Sequence, residues 1–412
     1  MMGPFERRPL QTLPRLMIFG ASTRAAAQSA VRAGLRPVCA DRFADEDLRE
    51  IADVLPLAEY PDGLVEVVAN SPPLPWIYTG ALENRPALLA ELAALRPLWG
   101  NPADVVRAVR DPFRLYDVLT RAGLPALAVR EGHAPPPADG GWMVKPCRSS
   151  AGHGIHVWQA GAPDAGGRGE PCFFQQRAAG QPISALYLSV ADGATLIGAS
   201  AQLIGLEALS AGPFVYCGSI GPIDLPETVR RQLVRTGEVT ASEFGLRGLF
   251  GIDFLLEQEV AWPTEVNPRY TASVEIYEWV WGVPLLEWHC RACRAYESRT
   301  CKSQTGSRQV AEQFPPVLDA ARSQSAGRQA AKAVVYAPFP LDTPDLVRLE
   351  RTPAFVSHGI GIADRPKPGT RIAEQAPVCT LVAKQAEPPG IAVFESSLSA
   401  LTAEFVRNRV GK

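Results

Sequence analysis

The sequence lacks a charge bias: 41 Lys and Arg oppose 43 Asp and Glu, for a net charge of -2. General nucleic-acid binding needs a cationic surface, so that class of partner is excluded. No apolar run reaches the roughly 18 residues of a membrane span, which argues against a membrane partner. The opening stretch MMGPFERRPLQTLPRLMIFG has no signal-peptide apolar core with a small-residue cleavage site, so a cytoplasmic location is expected. The eight cysteines are scattered and do not form the framework of a small secreted domain. There is no internal repeat. Nor is there a Ser-His-Asp or Cys-His arrangement that would mark a covalent protein nucleophile.

What is present is a change of pattern along the chain. At 412 residues the sequence is too long for one ordinary core, and several domains are expected. Residues 1–108 alternate strand and helix signals: RLMIFGAS, then TRAAAQSAVRAGL, then RPVCADRF. That is a βαβ unit, hence an open parallel α/β domain. Residues 109–300 read as α+β with an antiparallel sheet, because Gly and Pro break the strand-like runs WMVKPC, GIHVW, CFFQQR and SALYLSV. Residues 301–330 turn polar and rich in Ser, Gln and Arg, the composition of a linker or surface excursion. Residues 331–412 read as a small β-rich domain closed by the helix FESSLSALTAEFVRNRV.

Three stretches carry chemistry. In GLRGLFGIDFLLEQEVAWPTEVNPRY, two apolar runs flank the polar turn Gln258-Glu259, so a hairpin is predicted. Asp253 and Glu265 then lie nearly opposite each other, and Glu265, Asn267 and Arg269 share one side by strand alternation. Two carboxylates across a ladder repel unless a cation sits between them. Mg²⁺, or Mn²⁺, with Asn267 as third oxygen ligand suits this arrangement. Arg269 would then face a transferred phosphoryl group. In MVKPCRSSAGHGIHVW a strand delivers Lys145, and the small loop Ser149, Ser150, Ala151, Gly152, His153, Gly154 follows. Such a flap suits covering a triphosphate; a plain glycine-rich hairpin is the bland alternative. His153 fits either γ-phosphate contact or a solvated loop. In CFFQQRAAG, Gln175 and Gln176 end an apolar strand, where a side-chain amide can read the edge of adenine or simply emerge into solvent.

Weaker candidates remain. Ser22, Thr23 and Arg24, in GASTR, sit between a strand end and a helix start, and suit either an anionic substrate group or an N-capped turn. AGPFVYCGSIGP, with Tyr216, reads equally as acceptor-pocket lining or plain loop. Cys290 and Cys293 form one CxxC near His289 and Cys301, and core packing is the commoner fate of such a pair than zinc.

Taken in order, these signals resemble the ATP-grasp superfamily of ATP-dependent carboxylate–amine ligases, over about residues 110–295 with an α/β domain in front. The resemblance implies that Lys145 contacts phosphate and that Ser149, Ser150, Gly152, His153 and Gly154 form the flexible phosphate loop. It implies that Gln175 reads the adenine amino group, beside Gln176, and that Ala178 offers its backbone to the ring. Asp253, Glu265 and Asn267 match the metal ligands, and Arg269 and Lys145 the catalytic cations. The ending NPRYTAS places Tyr270 and Ser273 at the substrate side. The implied reaction joins a small-molecule carboxylate to an amine through an acyl phosphate, releasing ADP and phosphate. An amino-acid ligase acting on tyrosine or glutamate in cofactor biosynthesis is one such reading, and a homo-oligomer is compatible with it. The sequence departs from the family in three places. Pro112, flanked by Arg110 and Arg114, stands about where an earlier phosphate-binding lysine is expected, and Pro182 where many members place a ribose-binding acid. Ser273 stands where biotin carboxylase has the glutamate that activates bicarbonate, with Glu275 two residues on. The rival readings are a carboxylase or other acyl-phosphate enzyme, and a non-catalytic nucleotide-binding module.

Overall fold

The structure is a computed structural model that describes residues 13–57, 59–162, 171–190, 193–299, 305–384 and 391–410. Strands β1 (Arg15–Gly20), β2 (Arg36–Asp41), β3 (Asp53–Val54) and β4 (Trp76–Tyr78) form a parallel sheet in the order β3-β2-β1-β4. Alternation along β1 buries both faces. Leu16 and Ile18 pack with Ala26, Ala27 and Ala30 of the helix Arg24–Arg32. Met17 and Phe19 pack on the other face with Trp76 and with Leu89 and Leu92 of the helix Pro86–Leu95. A strand buried on both sides reads as a continuous apolar run, as LMIF does.

A second sheet, in the order β5-β8-β6-β7, is built from β5 (Val129–Glu131), β6 (Asp139–Pro146), β7 (His156–Gln159) and β8 (Cys172–Gln176). The phosphate loop expected from sequence is the connection between β6 and β7. The largest sheet is antiparallel. It contains β9 (Gln181–Val190), β10 (Gly193–Ile204), β11 (Tyr216–Gly221), β12 (Gly248–Glu257), β13 (Val260–Asn267) and β14 (Ala330–Tyr336). Beyond a minor pair, β15 (Leu341–Asp342) with β17 (Arg371–Ile372), it also takes in β16 (Ile360–Ala363) and β18 (Pro377–Ala383). Its order is β13-β12-β9-β10-β11-β14-β18-β16. The C-terminal segment adds five short strands, and its core around Phe355, Leu381 and Phe394 is continuous with Val215, Cys217 and Ile220, while β14, β18 and β16 continue the central sheet beyond β11.

The described part of the expected linker is ordered differently from its composition. Residues Thr305–Gln324 form a helix, with Phe314 and Leu318 buried against the core of the first sheet and of β9. Apart from buried Ser307, its polar residues lie mostly on the outward face, so the high polar content marks an amphipathic helix. Residues 301–304, with Cys301, lie outside the described residues. The terminal helix spans Glu395–Arg407. Among the described residues no helix is long and apolar enough to cross a membrane.

Candidate functional site

The hairpin β12–β13 pairs Glu257 with Val260 at the turn and continues in register to Phe254 opposite Pro263. There the ladder slips by one residue, so that Asp253 faces Glu265 and Gly251 faces Asn267. Thr264 is the extra residue of this bulge, and bulges commonly re-aim side chains beside active sites. Its hydroxyl donates to the Asp253 carbonyl at 3.1 Å, and its own carbonyl accepts from Lys145 Nζ at 3.5 Å. The bulge therefore both juxtaposes the carboxylates and ties the lysine of β6 to them.

Asp253 Oδ1 accepts from Gln202 at 3.0 Å, and its Oδ2 from the Asn267 amide at 3.0 Å. Burial and the facing Glu265 push the Asp253 carboxyl up to about 6. Glu265 accepts from Arg110 Nη1 at 3.0 Å. Burial lowers the Lys145 pKa, against the pull of Glu265 and Asp253. Arg269 donates from Nε to Glu83 at 2.7 Å, from Nη2 to the Asn267 amide oxygen at 3.1 Å, and from Nη1 to the Tyr270 carbonyl at 3.2 Å. Burial works against its charge, but Glu83 holds its pKa above the ordinary arginine value. The guanidinium is thereby fixed in place with N–H groups to spare.

The loop between β6 and β7 lies closed over this hairpin. Asn84 donates to the Ser150 hydroxyl at 2.7 Å, Arg110 reaches the Ser149 carbonyl at 3.4 Å, and the Tyr216 N–H donates to the Ala151 carbonyl at 3.0 Å. Gly152 has φ of +80°, and a Cβ there would lie 1.9 Å from the Phe214 carbonyl oxygen. Only glycine permits both that conformation and that approach.

Beneath the loop is a cavity of about 930 Å³, within the size range of ligand sites. It gathers residues from the two larger antiparallel sheets and from the loops that follow β1 and β4. Lys145, Ser150, Gly152, Gln175, Gln176, Ala178, Asp253, Glu265, Asn267 and Arg269 line it, together with Ser22, Arg24, Tyr216, Tyr270 and Ser273. Ser149 lines a smaller adjoining hollow beside Arg110 and Lys145. The Gln175 side chain is buried in the wall, while Gln176 accepts the Ala128 N–H at 3.4 Å.

Other sequence candidates fall elsewhere or are already engaged. His153 and Gly154 are exposed and line neither hollow; the Ser149 hydroxyl donates to the His153 carbonyl at 2.5 Å. Thr23 is fully buried, and its N–H and hydroxyl both donate to Asp41, at 2.5 and 2.8 Å. The anion at the start of that helix is therefore Asp41 of β2, and an external one is not needed there. Arg24 is neutralised from two sides, by Glu275 at 2.6 Å and Asp364 at 3.0 Å. Ser22 donates to Asp364 at 3.4 Å. The Tyr216 hydroxyl bonds Ser219 at 2.8 Å, that of Tyr270 donates to the Ala25 carbonyl at 3.3 Å, and Ser273 meets Thr271 at 3.0 Å. Arg114 lies over the Phe244 ring, away from the site. His289 accepts the Leu249 N–H at Nδ1 (2.8 Å) and lies 3.0 Å from the Trp99 carbonyl at Nε2. Both ring nitrogens thus serve the main chain, and burial holds the ring neutral, with a pKa near 4. The CxxC belongs to this packed core; among the described residues no His, Cys, Asp or Glu group of three could hold a metal.

The sequence reading missed Glu83, Asn84, Gln202, Lys332 and Asp364, and noted Arg110 only as a neighbour of Pro112. A signal for the first two was available: in PWIYTGALENRPALLAEL, three adjacent polar residues, Glu83, Asn84 and Arg85, interrupt an apolar stretch just past the carboxyl end of a strand, where open α/β sheets bind ligands. Lys332 is a lone lysine inside the apolar strand AAKAVVY, which itself asks for a buried partner.

Comparison with known proteins agrees with this architecture. A family model described as an ATP-grasp domain matches residues 109–273. The large chain of carbamoyl phosphate synthase from Beutenbergia cavernae is 26% identical over 215 residues, covering 46% of this chain but only 19% of the relative's length. Among solved structures, an ADP complex of N5-carboxyaminoimidazole ribonucleotide synthetase superposes with a TM-score of 0.64 at 14% identity, over 96% of this chain and 98% of that one. The L-amino acid ligase of Bacillus licheniformis gives 0.63 at 14% identity, over 95% and 97%. Residues 109–273 are an ATP-grasp domain.

Proposed function

We propose that the chain is an ATP- and Mg²⁺-dependent ligase that joins a carboxylate to an amine through an acyl phosphate, releasing ADP and phosphate. The observation that carries this reading is the meeting, in one cavity, of the Asp253–Glu265 pair, Asn267 and Arg269 with Lys145 and the closed loop. Two carboxylates and an amide on one face of a hairpin are a hard-oxygen donor set suited to Mg²⁺. Asp253, Glu265 and Asn267 would hold the ion, with the amide turned from its present bond to Asp253. When bound, the ion offsets charge on the phosphates of the nucleotide.

The chain's own residues supply the rest. Gln175 and the backbone around Ala178 form the wall for adenine. Lys145, Arg110 and the loop backbone bracket the triphosphate; Arg110 stands in for the earlier lysine and would be drawn from Glu265 onto phosphate. The substrate carboxylate attacks the γ-phosphorus, and the bond from that phosphorus to the bridging oxygen of ADP breaks. Arg269, held by Glu83, stabilises the charge that develops on the phosphoryl group and then on the tetrahedral carbon. Transfer of activated bicarbonate is less well supported, because Glu275 is buried between Arg24 and Lys332. An amino-acid substrate, in a cofactor pathway or elsewhere, belongs to the same reading.

The test is ADP and phosphate release with Mg²⁺-ATP and paired members of an amino-acid panel, with bicarbonate alone as comparison. Release that needs both a carboxylate and an amine supports the ligase. Release with bicarbonate alone supports the carboxylase instead, and nucleotide binding without turnover supports a binding module.

A further inference from the structure

β1 lies between β2 and β4, and the helices that follow β1 and β4 pack on opposite faces of the sheet. The adjacent carboxyl ends of β1 and β4 are therefore a topological switch point, where ligands of open α/β sheets settle. Here that crevice opens into the cavity. Ala21 and Ser22 after β1, and Gly80, Ala81 and Glu83 after β4, all line it. The small side chains leave room for a ligand. Ala81 has φ of +83°, a conformation that costs a non-glycine residue of order 1–3 kcal/mol, and it turns the short helix Leu82–Asn84 toward the site.

Glu83 is the acid of that crevice. One oxygen accepts from Arg269, whereas Oε2 is buried and has no hydrogen-bond partner; the neighbouring Tyr60 hydroxyl is likewise unpartnered. A buried carboxylate oxygen left so costs about 1–3 kcal/mol or more, which an N–H donor arriving through the cavity would recover. The other acids of the cavity are engaged: Asp253 and Glu265 by the proposed metal, and Asp364 by Arg24 and Thr380. Glu83 thus keeps one unpartnered oxygen, Oε2, beside the arginine assigned to the acyl phosphate.

We infer that the crevice at the carboxyl ends of β1 and β4 binds the amine nucleophile as its ammonium form, with Glu83 taking a proton from it. The inference rests on the ligase reading above. Glu83 removes one proton from the ammonium, leaving a neutral amine whose lone pair attacks the acyl carbonyl. The tetrahedral adduct expels phosphate as the carbon–oxygen bond breaks. The second nitrogen proton leaves with that phosphate, and Glu83 returns its own proton to solvent.

The experiment compares wild type with Glu83→Gln, whose amide oxygen can still accept from Arg269. Each is given Mg²⁺-ATP, the amino-acid carboxylates that support ADP release, and one of two nucleophiles: an amino-acid amine or hydroxylamine. The first is largely protonated at neutral pH, whereas hydroxylamine is uncharged and needs no base. Amide formation should fall at least about 100-fold further than hydroxamate formation, the usual worth of a general base, because loss of the charge beside Arg269 acts on both products alike. Equal loss of both products overturns the inference, since Glu83 then acts only through Arg269 or the fold. Retention of both overturns it as well, as does a wild type that makes hydroxamate but no amide with any amine. A wild type that releases ADP with neither nucleophile overturns the ligase reading, and this inference with it.

Discussion

Two groups of buried charge lie at opposite ends of the same cavity, and they are built on different terms. At the hairpin, Asp253 and Glu265 face each other, with cations arriving singly from Arg110, Lys145 and Arg269. About two-fifths of the Glu265 side chain stays exposed. At the other end, Arg24 bonds Glu275 and Asp364 with all three guanidinium nitrogens, and Lys332 pairs with Glu275 as well. Arg24 and Lys332 hold Glu275, and chiefly Arg24 holds Asp364, below the usual carboxylate range in spite of burial, whereas Asp253 is pushed up. One group has satisfied its charges internally and locks three parts of the chain together. In the other, Asp253 accepts from the neutral amides of Gln202 and Asn267 rather than from a cation. A carboxylate raised by burial and by a facing acid, rather than one held down by paired cations, is the candidate for a site.

The sharpest break of this contrast is Glu265→Gln. It should abolish turnover, a loss larger than the roughly 100-fold typical of changes one step removed from a metal, with the melting temperature near wild type. Retained Mg²⁺-dependent activity would sink the metal assignment. At the other end Arg24→Met should act in the opposite sense: it leaves Glu275 and Asp364 short of a cation and costs about 3–5 kcal/mol in a denaturant titration. If that variant instead binds substrate poorly at unchanged stability, Arg24 belongs to the site.

His289 offers a third kind of buried group, neutral and bonded to the main chain. Its folded pKa lies near 4, below the unfolded value of 6.5. Between those values the unfolded chain holds the proton and the folded ring does not. Stability from this residue is thus complete above pH 6.5 and declines as pH falls through the window, by up to about 3 kcal/mol. Melting curves should show this slope, and His289→Gln should flatten it. The smallest expected effect is at the loop. Asn84→Ala removes the bonds to Ser150 and from Arg110, and should raise the KM for ATP about fivefold, equivalent to about 1 kcal/mol, with kcat unchanged. A change in kcat alone would place Asn84 in the chemistry rather than in loop closure.

Strand periodicity and turn chemistry are local, so a good deal of this protein was legible from the chain alone. The βαβ start, the β6–β7 loop and the hairpin all follow from apolar alternation and the residues that interrupt it. The composition of 301–330 suggests a linker or surface excursion, whereas Thr305–Gln324 form a helix, because composition without its helical period hides an amphipathic face.

By itself the sequence determined that Glu265, Asn267 and Arg269 share a side and that Asp253 stands near Glu265, since side chains alternate with a period of two. Only the tertiary structure decided the bulge at Thr264 that brings the two carboxylates level. It also decided which cations meet which acids: Arg110 with Glu265, Glu83 with Arg269, and Arg24 with Glu275 are separated by 155, 186 and 251 residues. Ion pairing depends on distance in space and on burial, and neither leaves a spacing rule along the chain. Arg24 looks like a ligand in the sequence and is a lock in the fold, whereas Glu83, unremarked in a short helix, lines the cavity beside Arg269.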